Sequence, residues 1–136
     1  LVDAPLDLAF QFPFNILDRR FQKIKMPQGM RYARSIFLQG ILSSKSDLRS
    51  DAPIALLNLQ KMYHSTIEKF NLDPINFAVS FVVQSNAMDY FLIGVESEIQ
   101  LNHILELNLY NQIDKTIFDT MLINADKYWL DPRNWS

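Results

Sequence analysis

Three short apolar runs alternate with longer amphipathic stretches along this chain. The runs lie at residues 8–12, at 30–33 continuing into 35–38, and at 90–93, where the last run stops at Gly94. Their nearly continuous hydrophobicity predicts parallel strands that are covered on both faces. Because each run is followed by helical patterning, we predict an α/β fold in which helical crossovers join parallel strands.

The stretches after the first two strands have the spacing of helices. A basic stretch at 16–25 follows the first strand, and a long helix is predicted to begin near 51–53, after a polar loop at 43–47. Asp73 and Pro74 have the residue types of an N-cap and a first helical position, so a further helix begins there. The apolar stripes of these two helices are Leu56, Leu59, Tyr63, Ile67 and Phe70, and then Ile75, Ala78, Val79, Val82 and Val83.

Two more helices are predicted in the last third of the chain. Ser97 and Gln100 have the spacing of a capping box, in which Ser97 is the N-cap and Gln100 reaches back to it. The apolar residues of the helix that they begin are Leu101, Ile104 and Leu105. A final amphipathic helix is predicted at 114–124. The chain should therefore hold about three βα units plus C-terminal helices.

Length and composition fit one domain, 1–136, with no separate second domain. The chain has 136 residues, of which 49% are hydrophobic and 21% charged, as in ordinary globular proteins. No apolar run approaches the roughly 18–20 residues that cross a bilayer, so we expect no membrane partner. The chain contains no cysteine, which excludes a disulfide framework, thiol catalysis and thiolate metal sites. By elimination, we expect a reducing, cytoplasmic setting.

The net charge of -2 at pH 7 argues against a protein built to bind nucleic acid. The charge is unevenly spread, however, because one stretch contains many basic residues and only one acid, Asp18. The basic residues of that stretch are Arg19, Arg20, Lys23, Lys25, Arg31 and Arg34. Two interpretations stay open: a solvated surface, which is usual for such runs, and a rim that attracts anions.

Polar residues near the carboxyl ends of the first two strands are candidates for ligand binding. Gln11 interrupts an apolar run, and its amide is either satisfied by neighbouring backbone or water or directed at a ligand above the strands. Arg34 and Ser35 end the second strand in the same way. Because burying an unpaired guanidinium is very costly, we expect Arg34 either to pair with a carboxylate or to face an anion.

The turn at 94–100, where the third strand meets its helix, is the best local candidate for an anion site. The first amides of a helix are unpaired, the helix dipole is positive at that end, and Gly94 permits close approach of the backbone. Glu96, in the same turn, argues against a strongly negative ligand there.

Other common chemistries find no support in the sequence. The three glycines, Gly29, Gly40 and Gly94, cannot form a P-loop, a nucleophile elbow or a dinucleotide-binding glycine motif. His64 and His103 lie on separate predicted helices without metal-ligand spacing, and no tyrosine has a pattern that indicates proton transfer. We therefore predict no catalytic residues and no metal site within this chain.

Three segments, in order, resemble the last strands of the aldo-keto reductase barrel. Residues 11–20 (QFPFNILDRR) resemble the sixth-strand segment of that family, and residues 34–42 (RSIFLQGIL) resemble the seventh strand and the loop after it. Residues 94–101 (GVESEIQL) resemble the eighth strand with its cofactor-binding turn. The resemblance implies a partial TIM barrel, strands six to eight. Because a whole barrel has about 250 residues and this chain begins with Leu1, we expect it to be a piece of a longer protein or to have lost its first residues.

The resemblance also implies a site for a nicotinamide cofactor, NADP or NAD. Gln11 would hydrogen-bond the nicotinamide carboxamide, and Arg34 would lie where the family usually stacks an aromatic residue on the nicotinamide ring. The residues implied at the pyrophosphate are Ser35, Phe37 and Gln39, and those implied around the adenosine 2′-position are Gly94, Val95, Ser97 and Gln100. The polar loop after Gly40 would be a flap.

The chain departs from the family pattern at several of these positions. Arg34 replaces the aromatic residue, and Glu96 stands where a basic or small residue often meets the 2′-phosphate. His103 and Ile104 replace the usual Glu-Asn pair near the adenine. Because an acid beside a phosphate is repulsive, we predict weakened discrimination between the two cofactors, or even tolerance of NADH.

The family's catalytic tyrosine, lysine, aspartate and histidine lie in earlier strands, which this chain does not contain. The resemblance thus implies the cofactor-binding part of a reductase that delivers hydride to a small carbonyl substrate, and we expect these residues to be inactive alone. Two alternatives stay open: a non-catalytic binding or assembly module with this fold, and a module fused behind another enzyme. The bare edges of an incomplete sheet also predict self-association.

Overall fold

The structure, a computed structural model, describes residues 8–26, 28–43, 53–109, 112–122 and 127–135. Within these ranges the strands form one parallel sheet in the order β1 (Ala9–Pro13), β2 (Met30–Arg34) and β3 (Tyr90–Phe91). The helices are α1 (Ile54–Lys69), α2 (Pro74–Gln84), α3 (Glu98–Leu105) and α4 (Lys115–Asp119), followed by 3₁₀ helices at Lys127–Leu130 and Pro132–Asn134. The predicted α/β fold with parallel strands is confirmed.

The register of the sheet sorts its side chains onto two faces. Gln11 lies opposite Tyr32, and Tyr32 lies opposite Tyr90, whose ring stacks on it with centroids 5.0 Å apart. Arg34 follows two residues after Tyr32 and shares its face, because alternate residues of a strand point the same way. Gln11, Arg34 and Tyr90 are exposed, whereas Ala33 on the other face is fully buried. Within the part of the chain that the structure describes, only one face of the sheet is covered. The prediction of strands covered on both faces is therefore wrong there.

The core lies between the covered face of the sheet and the two long helices. The predicted stripe residues that are buried are Leu56, Leu59, Tyr63 and Ile67 in α1 and Ala78, Val79 and Val82 in α2. The prediction is wrong for Phe70 and Val83, which are exposed because both lie at a helix end, where the chain leaves the core. Phe77 and Phe81, which the spacing missed, are buried in α2.

The helix predicted at 16–25 is absent from the described residues, which form turns there. The side-chain oxygen of Asn15 accepts hydrogen bonds from the amides of Leu17 and Asp18, at 3.0 and 2.9 Å. An asparagine that bonds nearby amides in this way competes with helical hydrogen bonding. The connection from β1 to β2 is therefore a compact, partly buried turn, and the first of the three βα units lacks its helix.

The second strand ends at Arg34, where the polar pair Arg34 and Ser35 indicated its end, and the apolar run at 35–38 does not continue it. Ser35 has φ of 58°, Leu38 of 44° and Gln39 of 54°, all in the left-handed region. This conformation cannot continue a strand. The chain turns instead, and the Leu38 amide donates to the Ser35 carbonyl at 3.0 Å.

Two helix starts follow the sequence signals closely. Asp73 caps α2 by accepting from the Asn76 amide at 2.7 Å, and Pro74 follows as its first residue. Ser97 caps α3 by accepting from the Gln100 amide at 3.2 Å. The Gln100 side chain reaches back one residue further than predicted, because its oxygen accepts from the amide of the residue before the N-cap.

Two elements are shorter than predicted. Regular pairing in β3 ends at Phe91, although the Leu92 amide still donates to the Ala33 carbonyl at 2.8 Å. Helix α4 ends at Asp119, and residues 120 and 121 form a turn. The Thr120 amide donates both to the Thr116 carbonyl, as in an α-helix, and to the Ile117 carbonyl, as in a tighter turn. Residues 123–124 of the predicted last helix, 51–52 at the predicted start of α1 and 44–47 of the polar loop lie outside the described residues. In the part that is described, no helix has both the length and the apolar character to span a bilayer.

Candidate functional site

A cleft of about 720 Å³ opens at the carboxyl ends of β2 and β3. One wall is the turn after β2, and the other is the segment from β3 into α3. Six of the residues predicted to bind a cofactor line it: Ser35, Phe37, Gln39, Gly94, Val95 and Gln100. Its other apolar lining residues are Ile36, Leu38, Ile75, Leu92, Ile93 and Ile104. Ligands of open parallel sheets bind at this end of the strands.

The wall formed by the turn after β2 is held by the buried turn after β1. The Asn15 side-chain nitrogen donates to the Ser35 carbonyl at 3.0 Å, and Asn15 is only 1% exposed. Leu38 is buried beneath the same wall. Left-handed non-glycine residues, such as those in this turn, often gather at functional sites. Sequence reasoning did not single out Asn15, although an asparagine whose side chain bonds the backbone two residues on is a common turn signal.

The wall at 94–100 is held mainly by its own hydrogen bonds. The Glu96 amide donates to the Gln100 side-chain oxygen at 2.8 Å, and the Gln100 amide donates to Ser97. A side chain at Gly94 would meet nothing within 4 Å, so this glycine leaves open space at the cleft. No residue of α3 is buried among the described parts of the chain. This wall is therefore less supported by packing than the opposite one.

Three predicted site residues lie outside the lining of the cleft. Gln11 is exposed on the uncovered face of the sheet, where its amide reaches solvent. Ser97 uses its hydroxyl to cap α3. Arg34 is exposed, and its guanidinium lies 3.4 Å from the hydroxyl of Ser35, which does line the cleft. None of the ion pairs seen among the described residues involves Arg34, so pairing with a carboxylate is not its role there.

Two arginines of the basic stretch are held by carboxylates. Arg20 makes two bonds to Asp18, whose side chain is fully buried, at 2.8 and 2.6 Å. Arg31 binds Asp89 at 3.1 and 2.8 Å, and its backbone amide donates to the same carboxylate at 2.8 Å. These bonds hold the pKa of Asp89 down at about 2. Both arginines therefore have structural roles. Neither of the two interpretations, a solvated surface or a rim that attracts anions, describes them.

Arg19 joins the turn after β1 to two helices. Its guanidinium lies 4.5 Å from the centre of the Phe81 ring in α2 and donates to the backbone carbonyls of Ile16 and Phe118. Burial lowers the pKa of Arg19, while Asp119, 3.5 Å away, opposes that effect. Arg19 therefore also has a structural role.

The cleft has an unusual charge for a phosphate-bearing ligand. Among its described lining residues, Glu96 alone is charged, and it is exposed. The described residues contain no group of three acidic or histidine side chains placed to hold a metal ion. His103 on α3 lies 3.6 Å from the Asp73 carboxylate. The site can therefore offer hydroxyls, amides and one acid to a ligand.

Together these features define a class of protein: a partial parallel α/β barrel with its cleft at the carboxyl ends of the strands. A solved aldo-keto reductase, the glycerol dehydrogenase AKR11B4 from Gluconobacter oxydans, has this fold with a TM-score of 0.61 at 19% sequence identity. The match covers 91% of this chain and 45% of that one, so the chain spans less than half the length of this relative. Neither the known family models nor the curated proteins include a match to the sequence. The predicted likeness to part of an aldo-keto reductase barrel is confirmed as a likeness of fold.

Proposed function

We propose that residues 1–136 are the C-terminal, cofactor-binding part of an NAD(P)-dependent aldo-keto reductase, strands six to eight of its barrel. The observation that carries the proposal is the cleft, because six of the eight residues that the seventh-strand and eighth-strand motifs implied line its two walls. Its volume of about 720 Å³ lies within the range of roughly 300–1,000 Å³ that is usual for ligand pockets.

The residues of the two walls suit different parts of a dinucleotide. Ser35 and Gln39, on the β2 side, offer a hydroxyl and an amide to the pyrophosphate, and Arg34 beside them supplies a positive charge. On the α3 side, Gly94 leaves room for the adenosine. Gln11 and Arg34 share the uncovered face of the sheet, so the nicotinamide would lie over that face. When bound, the cofactor supplies the hydride for a small carbonyl substrate; these residues bind and orient it.

We expect the proton donor for the reduced carbonyl to come from outside these residues. The hydroxyl of Tyr63 is buried and donates to the Pro74 carbonyl at 2.6 Å, and burial raises its pKa well above the usual value. Tyr32 and Tyr90 lie on the sheet face, and no tyrosine is among the described lining residues of the cleft. We therefore expect this chain to be inactive by itself and the complete enzyme to supply the catalytic residues.

Cofactor titration of the full-length protein tests the proposal. We expect NADH or NADPH to bind and Gln39→Gly to weaken binding by roughly tenfold, since one lost hydrogen bond to a charged group is worth about that factor. Glycine suits the left-handed φ of 54° at this position. Asn86→Gly is the matched control, because Asn86 has φ of 50° and is exposed away from the cleft. Binding of neither cofactor would overturn the proposal.

The exposed apolar surface of α3 favours a second candidate, a non-catalytic module for binding or assembly. Ile99 is 82% exposed and Leu105 is 73% exposed, and such surfaces often contact partners. Hydride transfer to aldehydes by the full-length protein decides between the two candidates. Cofactor binding without any carbonyl reduction would favour the second.

The lack of cysteine leads us to propose a cytoplasmic location for either candidate, which fractionation of cells would test.

A further inference from the structure

We propose that the outer face of α3 is a docking surface for a basic amphipathic helix of another protein. The outer face is the side of α3 turned away from the cleft, and it consists of Glu98, Ile99, Leu101, Leu105 and Glu106, all of which are exposed. The opposite side of α3 faces the cleft through Gln100 and Ile104. The docking surface is therefore distinct from the cofactor site.

Exposed apolar side chains are concentrated in this part of the molecule. Thirteen large hydrophobic residues are exposed in the part of the chain that the structure describes, and six of them lie within 90–105: Tyr90, Leu92, Val95, Ile99, Leu101 and Leu105. Three of the six belong to α3, which has no buried residue. Exposed apolar residues that gather in one place beside polar ones mark interaction sites, whereas single exposed residues do not.

The charge of the same part of the chain is one-sided. All 13 lysines and arginines lie outside 70–114, whereas that segment contains six acids: Asp73, Asp89, Glu96, Glu98, Glu106 and Asp114. Three of these acids have partners, because Asp73, Asp89 and Asp114 contact a histidine, an arginine and a threonine. The three glutamates lie at the ends of α3, and the ion pairs of the described residues give them no cation. The exposed apolar surface is thus flanked by negative charge alone.

The acids at the two ends of α3 differ in what they do for the helix itself. Glu98 lies in the first turn, where the helix dipole favours a negative charge. Glu106 is the C-cap, where the same dipole disfavours an acid. Glu106 is therefore unfavourable for α3 alone and becomes favourable when a partner brings a cation to it.

The spacing of the outer face defines the partner. Glu98 and Glu106 are eight residues apart, which is about 12 Å along a helix, and Leu101 and Leu105 lie between them, one turn apart. A helix that lies along α3 therefore needs apolar residues one turn apart and a lysine or arginine at each end of them. The α3 helix of a second copy does not fit, because its acids would meet like charges.

Binding of a designed peptide to the full-length protein tests the inference. The probe is a fluorescein-labelled amphipathic peptide of leucine, lysine and alanine, about 18 residues long so that it can form a helix. Its control is a peptide of the same composition in scrambled order. We expect the amphipathic peptide to bind, with fluorescence anisotropy as the readout, and the scrambled peptide to bind much more weakly.

Variants of α3 assign the binding to the outer face. The double variant Leu101→Gln/Leu105→Gln should weaken binding by roughly tenfold. Glu98→Gln/Glu106→Gln should weaken it by roughly three- to fivefold, since exposed ion pairs are weak. Ile54→Gln/Glu68→Gln is the matched control: it removes an exposed apolar side chain and an exposed acid from α1 and should leave binding unchanged.

Four outcomes would overturn the inference. Equal binding of the scrambled peptide, or an equal loss in the α1 variant, would show that net charge attracts the peptide. Absence of binding would show that the face takes no basic helix, and slow hydrogen exchange of the α3 amides would then assign its cover to another part of the same protein. A dimer that is lost in Leu101→Gln/Leu105→Gln would make a second copy the occupant. Cofactor titration of the same samples is a separate readout, so the proposed function stands or falls independently.

Discussion

The side-chain nitrogen of Asn15 donates to the backbone carbonyl of Ser35 at 3.0 Å, across a separation of 20 residues. The oxygen of the same side chain accepts from the amides of Leu17 and Asp18. One buried amide thus closes the turn after β1 and holds the wall of the cleft after β2. A side chain in the core therefore determines the geometry of the candidate site.

Replacement of Asn15 tests this link. We expect Asn15→Ala to lower the free energy of unfolding by about 2–3 kcal/mol, because the buried amides of Leu17 and Asp18 lose their acceptor. Urea denaturation measures the loss. Asn58→Ala is the control: Asn58 is exposed within α1, and alanine there should be neutral or slightly stabilising. Similar effects of the two substitutions would contradict the assigned role.

Arg19 should contribute more to the stability of the fold than its ion pair with Asp119 does. We expect Arg19→Ala to destabilise the fold by about 1–3 kcal/mol, since carbonyls of Ile16 and Phe118 lose a charged donor. Asp119→Asn should cost less than about 0.5 kcal/mol because the pair is long and the acid exposed. Thermal denaturation of both variants gives the comparison. An equal loss in the two would mean that the ion pair, and not the carbonyl bonds, carries the effect.

The pair of Arg31 with Asp89 makes part of the stability depend on pH. Its bonds hold the pKa of Asp89 at about 2, below the ordinary value of about 3.9 for an unfolded chain. The pair therefore stabilises the fold fully above about pH 4, and the contribution is lost as the pH falls toward 2. We expect Asp89→Asn to be less stable than the wild type at pH 7, and we expect most of this difference to be lost by pH 2.

Denaturation over a series of pH values measures this difference, and carbon NMR of the Asp89 carboxyl gives its pKa directly. Glu106→Gln, at the exposed end of α3, serves as the control for loss of one acid. A difference between wild type and Asp89→Asn that is constant from pH 7 to pH 2 would be evidence against the pair.

Two glycines should respond differently to alanine. Gly29 has φ of 100°, and a Cβ there would lie 2.7 Å from the Leu8 carbonyl oxygen and 2.9 Å from the Phe10 ring. We expect Gly29→Ala to destabilise the fold by at least about 1 kcal/mol, since backbone cannot easily move aside. Gly94→Ala meets nothing within 4 Å and should leave stability within about 0.5 kcal/mol.

Gly94→Ala should nevertheless weaken cofactor binding by the full-length protein, because the added methyl group enters the cleft. Calorimetric titration with NADH measures this effect beside the stability of the same sample. Unchanged binding in a stable Gly94→Ala protein would count against the adenosine position proposed for this wall.

The 136-residue chain produced by itself should self-associate. β1 and β3 are the edges of the described sheet, and Ile99 and Leu105 expose apolar surface on α3. We expect light scattering after size exclusion to show a mass that rises with concentration. Replacing Ile99 and Leu105 together by lysine should lower that mass if α3 forms the contact and leave it unchanged if the strand edges do. A stable monomer at all concentrations would contradict the prediction.

The sequence by itself determined those parts of the structure that depend on residues close together in the chain. The strand positions followed from continuous apolar runs, the helix starts at Asp73 and Ser97 from side chains that bond amides within one turn, and most of the α1 and α2 stripes from helical spacing. The order of the three family motifs was enough to predict the fold, because strand order along the chain is also the order of parallel neighbours in a barrel.

The tertiary structure alone decided what depends on distant residues. The stretch at 16–25 has helical composition, yet it turns because Asn15 bonds both its own turn and Ser35. The second strand ends at Arg34 because the next residues adopt left-handed conformations over a buried Leu38. The cleft exists only where two segments about sixty positions apart end at the same edge of the sheet, and no local pattern of residues encodes that meeting.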